Sequence, residues 1–242
     1  TPTISSTHHN TLHLAVEDKV LRRPDEVAPN FGHSKSYGVS HGLALVGRLI
    51  EAHPGALAGE CLCDVAHRLH IVTDMRQSLP ELQPGQAWQS DQSLHRLDEF
   101  RELVSCINEI ATNMLDYLKI GYDAFEITAC WANVSAPGGA HRIHSHPNNF
   151  LSGVYYAKTH EGADTINFHD PRHQTGIIRP PVTELTAENA DQVVVKVIDG
   201  TLLIFPAWLQ HSVDGNLGVG ERTSISFNIM FSAYTESMSG PL

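Results

Sequence analysis

The chain has 242 residues, in which 27 Asp and Glu outweigh 16 Lys and Arg for a net charge of −11. That balance argues against a binder of phosphate backbones, which needs a basic face, and no uninterrupted apolar run of about 18 residues is there to span a membrane. The length suffices to bury a substantial core, as one β-rich domain or as a barrel with a helical region packed on it.

The first segment, TPTISSTHHNTLHLAVEDKV, has no basic stretch followed by an apolar run, so no secretory signal is expected there. His41 to Glu51 and Ala56 to Ile71 read as helices separated by the breaker pair Pro54-Gly55. Four cysteines, Cys61, Cys63, Cys106 and Cys130, are too few for a disulfide framework in a chain this long. Cys61-Leu62-Cys63 lacks a partner pair at zinc spacing, so buried or free thiols in a reducing cytoplasm are expected. The run LPELQPG, Leu79 to Gly85, is a connector. Leu97 to Ile120 is the clearest helix, because Phe100, Leu103, Val104, Ile107, Ile110, Ala111, Met114 and Leu118 recur at three- and four-residue steps. Asp98 near its start complements the helix dipole, and Gly121 is expected to stop it.

From Phe125 the period changes to two. EITACWANVS, HRIHSH, FLSGVYYAK, DTINFH, QVVVKVI, TLLIF and TSISFNIMF are rich in β-branched and aromatic residues and read as strands. Asp199-Gly200 between two of them predicts a hairpin turn. A short strand near His211 brings the number to about eight, as in a jelly roll or double-stranded β-helix, where two small sheets face each other and leave a mouth for a ligand. The expected organisation is a single domain, residues 1–242. A mostly helical region, 1–123, would buttress a double-stranded β-helix core, 124–235.

The chemistry-bearing feature is His144-Ser145-His146-Pro147, answered by His211 and then by Arg222-Thr223-Ser224. Two imidazoles one residue apart on a strand point to the same side. A third, from a distant strand, can close a three-ligand site with positions left open for substrate. In a chain with 16 histidines a His-x-His pair also arises by chance, and imidazole alone does not name the metal, since iron, zinc, copper and nickel all accept it. The surroundings add weight: a Gly138-Gly139 turn precedes the pair, and a strand ending in Phe205-Pro206 precedes His211.

Six pieces carry a resemblance: Trp131-Val134 (WANV), His144-Pro147, Ser152-Tyr156 (SGVYY), Phe168-Arg172 (FHDPR), Phe205-Val213 and Arg222-Asn228. Trp88-Gln89-Ser90 and Leu94-His95 extend it upstream. In order and spacing they resemble the 2-oxoglutarate/Fe(II)-dependent oxygenase superfamily, with a prolyl-hydroxylase-like pattern. The nearest likeness is to a family of bacterial members without assigned substrate. The resemblance implies Fe(II) and 2-oxoglutarate as cofactors, with His144 and His211 as iron ligands. Arg222 would pair with the far carboxylate of 2-oxoglutarate through two charge-assisted bonds, joined by the Ser224 hydroxyl and by Tyr156. Trp131, Asn133, His169 and Arg172 are candidates for the substrate side, and Asn228 for a bond to a ligand histidine, to the co-substrate, or across the barrel.

His146 departs from the superfamily, whose pattern at that place is Asp or Glu. Three readings stand. His146 replaces the carboxylate, Asp170 reaches in to supply one, or His146 turns away and water fills the position. Three neutral imidazoles would leave the metal one unit more positive than two imidazoles and a carboxylate. The implied reaction is hydroxylase-type oxidation of a C–H bond. The alternatives are a cupin-like protein that binds a metal or a small acid, and a three-histidine dioxygenase that does not use 2-oxoglutarate. The substrate, a small molecule or an amino-acid or protein target, is open. No nucleic-acid or membrane partner is expected, and an exposed barrel edge or the helical half would suit a homodimer.

Overall fold

The computed structural model describes residues 11–15, 58–60, 64–171, 181–184 and 189–236, the first two segments through their backbone pairing. In chain order the elements are β1 (Thr11–Ala15), β2 (Ala58–Glu60), α1 (Val65–Arg76), β3 (Ala87–Gln89), α2 (Arg101–Tyr117), β4 (Phe125–Ser135), β5 (His141–His144), β6 (Leu151–Lys158), β7 (Thr165–His169), β8 (Gln192–Lys196), β9 (Thr201–Pro206), β10 (His211–Val213), β11 (Arg222–Phe231) and α3 (Ser232–Thr235). None of the described helices is long and apolar enough to cross a membrane.

The strands form two sheets that face each other as a double-stranded β-helix. The smaller has the order β1-β8-β7-β10-β5 and the larger β2-β9-β6-β11-β4-β3. The eight strands from Phe125 onward are those expected. Three more, β1, β2 and β3, come from the part of the chain that had read as mostly helical.

Side-chain alternation in the large sheet makes two cores. On one face Cys130, Ala132, Val134, Leu151, Tyr155, Leu202, Ile204, Ile225, Phe227 and Ile229 pack against the helices. Helix α2 meets them with Leu103, Ile107, Ile110, Ala111 and Met114 of the stripe that its sequence period predicts, and also with Leu115. On the other face Val154, Tyr156, Leu203 and Phe205 meet Ile166, Phe168, Val193 and Val195 of the small sheet. This second cluster fills one part of the barrel. In the remaining part the same parity puts polar side chains inward: Asn133 on β4, Ser152 on β6, and Arg222, Ser224 and Ser226 on β11. A run of serines and an arginine facing inward, where an alternating strand would bury aliphatics, marks the ligand cavity.

Three local expectations are corrected. Ala56 to Ile71 is not one helix: Ala58–Glu60 pairs antiparallel with β9, and the helix begins at Val65. Its start is set by Asp64, whose carboxylate accepts the His67 N–H at 3.1 Å. Asp199-Gly200 does make a tight turn, with Gly200 at φ +86° and Thr201 N–H bonded to the Ile198 carbonyl at 3.1 Å. It is not a hairpin, because β8 lies in the small sheet and β9 in the large one, so the turn carries the chain between layers. Helix α2 ends at Tyr117, with the left-handed residue at Lys119 (φ +56°), before Gly121 is reached. The reading of His41 to Glu51 and that of Cys61 and Cys63 lie outside the described residues.

Candidate active site

The metal-type constellation is assembled from two neighbouring strands and the turn after one of them. β10 pairs antiparallel with β5, and His211 stands directly opposite His144. The strand β5 ends at His144, so His146 is placed by the turn that follows: its N–H donates to the Ala207 carbonyl at 2.9 Å. Its ring stacks against His211 with centroids 5.2 Å apart and lies 6.0 Å from Trp131. The ligand-capable atoms of His144, His146 and His211 lie within 4.8 Å of one another.

Backbone carbonyls fix which nitrogen of two rings is free. His144 Nδ1 lies 2.7 Å from the Arg142 carbonyl and His211 Nδ1 2.9 Å from that of Leu209. A carbonyl only accepts, so each Nδ1 carries the proton and each Nε2 keeps its lone pair. His146 Nε2 is 3.3 Å from His211 Nε2. Metal–imidazole bonds of about 2.0–2.1 Å put neighbouring ligand nitrogens roughly 3.0–3.4 Å apart, so this spacing fits two ligands of one cation. Burial pushes His211 down to about 3, opposed by its Leu209 bond and helped by the neighbouring imidazoles. Burial also pushes His146 down to about 4, with His144 adding to the effect. Both rings are therefore neutral at pH 7, the form that binds metal.

The other end of the cavity is cationic and short of partners. Arg222 is buried on β11 and its Nε has no hydrogen-bond partner. The Tyr156 hydroxyl and His141 Nε2 are buried and equally unmatched. Burial lifts the Tyr156 hydroxyl to about 12 while Arg222 draws it the other way. Burial lowers His141 to about 4, and Arg222 and then His144 add to the fall. Leaving each such group unsatisfied costs about 1–3 kcal/mol, so three together mark a place for an anion. No Asp or Glu is among the described residues lining the cavity. The three imidazoles thus fit a divalent metal, and the buried Arg222 with its unmatched Nε fits an acidic ligand.

Of the residues singled out from the sequence, His144, His146, His211, Arg222, Ser224, Tyr156, Trp131 and Asn133 line this one cavity. Three do not. His169 bonds through Nε2 to Ser212 Oγ at 2.8 Å. Asp170 donates its N–H to the Asp191 carbonyl at 2.9 Å, on the β8 side of β7 and away from β10, and its carboxylate is not in the three-histidine group. Asn228 Oδ1 accepts the Ser152 hydroxyl at 2.9 Å, tying β11 to β6. Arg172 lies outside the described residues.

Sequence reasoning missed His141, Gln89 and Ser226. The miss of His141 has a definite cause. Between the pairs His211–His144 and Val213–His141, β10 advances two residues and β5 three. The bulge reverses parity, so His141 and His144 both face the cavity while Arg142 and Ile143 face out. Gln89 enters on the edge strand β3, where its side-chain amide donates to Asn133 Oδ1 at 2.8 Å; Asn133 in turn donates to Ser226 Oγ at 3.0 Å. The Trp88-Gln89-Ser90 motif was a usable signal for Gln89, and strand parity with Arg222 and Ser224 for Ser226.

Residues 129–228 match the family described as "Putative 2OG-Fe(II) oxygenase". Among solved structures the chain is similar to the non-haem alpha-ketoglutarate-dependent epimerase SnoN from nogalamycin biosynthesis, at 13% identity and TM-score 0.56, covering 78% of this chain and 82% of that one. SnoN in complex with Fe3+, alpha-ketoglutarate and nogalamycin RO gives 14% identity and TM-score 0.52, over 78% and 84% of the two chains. A prolyl hydroxylase from Trichoplax adhaerens, in complex with a hypoxia-inducible-factor peptide fragment, gives 12% identity and TM-score 0.52, over 81% and 94%. At these identities the likeness is one of fold. A search of curated proteins returns no match.

Proposed function

We propose that this chain is a 2-oxoglutarate/Fe(II)-dependent oxygenase, a reading supported by the match of residues 129–228 to that family and stated here in terms of its own side chains. It is an oxidoreductase that uses Fe(II) and 2-oxoglutarate to oxidise a C–H bond of its substrate. His144, His146 and His211 would hold the metal. Arg222, with Tyr156 and Ser224, holds the far carboxylate of 2-oxoglutarate. The observation that carries this assignment is the pairing, in one cavity, of a three-imidazole group with a buried Arg222 whose Nε is unmatched, with no Asp or Glu among the described residues that line it.

The metal and keto acid supply the oxidising chemistry when bound. The protein's contribution is geometric and electrostatic. The Leu209 and Arg142 carbonyls orient two imidazoles so that Nε2 points at the metal position. Arg222 fixes the far end of the acid, so its keto-acid end meets the histidines in one orientation. Trp131, packed near His146, and the Gln89–Asn133–Ser226 hydrogen-bond chain form the wall on the β3–β4 side. That wall is where a substrate would be oriented. The substrate is a small molecule or an amino-acid or protein side chain. A chain of this length with only four cysteines suits a reducing cytoplasm, and the reading requires neither nucleic acid nor membrane. A homodimer would form through an exposed barrel edge or the helical half.

The test is anaerobic. Protein loaded with Fe(II) is given 2-oxoglutarate and the visible charge-transfer band is recorded. A band that is present in the native protein and lost in Arg222→Ala supports chelation in the stated pose. Bound iron without a band would overturn it, in favour of a three-histidine dioxygenase or a cupin-like binding protein.

A further inference from the structure

The bulge in β5 brings a fourth histidine into the cavity, and the metal group leaves it unused. His141 lies opposite Val213, beyond the His144–His211 pair, on the small sheet. Its Nε2 is buried without a partner, as are Arg222 Nε and the Tyr156 hydroxyl on the large sheet. All three side chains line one cavity, and the ring lies close enough to Arg222 to feel its charge. Three orphaned polar atoms from β5, β6 and β11 therefore converge from both walls of the barrel.

A lone pair on His141 Nε2 could take an N–H of Arg222 or the O–H of Tyr156, but neither bond is made, and all three polar atoms are left open to the cavity. A carboxylate solves the arrangement. It offers about four lone-pair directions, and a guanidinium fork fills at most two. The remainder can accept an O–H from Tyr156 on one side and an N–H from the opposite sheet. Arg142 and Ile143, the outward residues of the bulge, are both exposed, Ile143 at 57%. The structural consequence of the bulge is to turn His141 inward.

We propose that His141 is a co-substrate-binding residue, donating from the small sheet to the far carboxylate that Arg222 grips from the large one. This rests on the 2-oxoglutarate reading above. It makes the cavity selective for a keto acid with a second carboxylate, and it separates that selectivity from metal binding.

The experiment compares two keto acids on anaerobic Fe(II)-loaded protein. The charge-transfer band is titrated with 2-oxoglutarate and with 2-oxobutyrate, which chelates in the same way but has no far carboxylate. His141→Ala should weaken 2-oxoglutarate about tenfold and leave 2-oxobutyrate and iron stoichiometry unchanged. His141→Gln, which restores a donor of similar reach, should recover most of the loss. Equal weakening of both acids, or no change in either, would overturn the assignment of His141 while leaving the 2-oxoglutarate reading intact. Absence of a band with 2-oxoglutarate in the native protein would overturn both.

Discussion

His144 and His211 are cross-strand partners on β5 and β10, with ring centroids 4.3 Å apart. Each ring also donates Nδ1–H to the carbonyl two residues before it, so both present Nε2 in the same sense. Both rings are thus turned toward one another with the metal-binding nitrogen free. Loss of groups that only orient a metal-bound histidine costs about 10–100-fold in metal affinity. Removing a ligand itself should cost more. His144→Ala and His211→Ala are each expected to drop bound Fe(II) to background when iron stoichiometry is measured after desalting, with the far-ultraviolet circular dichroism unchanged. Native stoichiometry in either variant would remove the metal centre from this site.

The position of His146 bears on the three readings that its sequence left open. Its Nε2 points at His211 Nε2, and Asp170 is tied to the β8 side. His146→Ala should therefore lose iron. His146→Asp should keep it, since a carboxylate is as good a ligand for Fe(II). The aspartate variant removes one unit of positive charge next to an acidic co-substrate. Its affinity for 2-oxoglutarate should fall at least about tenfold, the order expected for one charge a few ångströms away in a half-shielded site. Retention of full iron by His146→Ala would show that another group fills that position.

Much of this was legible because period two and period three-to-four survive intact in the sequence. The stripe on α2 and the composition of β4, β6, β9 and β11 marked the helix and the strands that build the large sheet and its helical cover. Strand alternation also put Ser224 on the same face as Arg222. What was hidden depends on contacts between distant segments. Ala58–Glu60 is a strand because β9 offers it an edge, not because of its own composition. Asp199-Gly200 carries the signature of a hairpin turn, and nothing local reveals that its two strands belong to different sheets. His141 was invisible because one bulge shifts parity, and a bulge is decided by pairing with β10. His146 reaches the site from a turn, so strand alternation gave the right side for the wrong reason.

The site should make the metal-free protein acid-sensitive. His141 and His146 lie at about 4 and His211 at about 3, against an ordinary 6.5, with burial the main cause in each. Between roughly pH 4 and 6.5 the unfolded chain binds more protons than the folded one, so stability falls as pH falls through that window and is level above it. With the partly exposed rings discounted for solvent screening, the loss from pH 7 to 4.5 should be on the order of 2–4 kcal/mol. Urea midpoints of metal-free protein across that range measure it. His211→Gln, which cannot titrate, should show a visibly shallower decline. An identical pH slope in the variant would mean that His211 takes up its proton over the same pH range folded and unfolded.

The last prediction concerns the wall of the cavity. Gly153 on β6 pairs with Phe227 on one side and Ile204 on the other. A methyl group there would run into the Phe227 ring and lie 2.5 Å from the Leu203 carbonyl oxygen. The ring could swing aside, but the carbonyl belongs to the backbone of a paired strand. Gly153→Ala should therefore destabilise the protein by about 2–3 kcal/mol, as overpacking of a tight interior does, seen as a lower thermal midpoint. Adding Phe227→Leu should recover only part of this, because the conflict with the strand carbonyl remains. Ser152 and Val154, on either side of Gly153, both line the cavity. The shift needed to admit the methyl should thus also weaken 2-oxoglutarate binding. Full recovery of both stability and binding in the double variant would place the whole conflict at the Phe227 ring and leave the backbone register without a role.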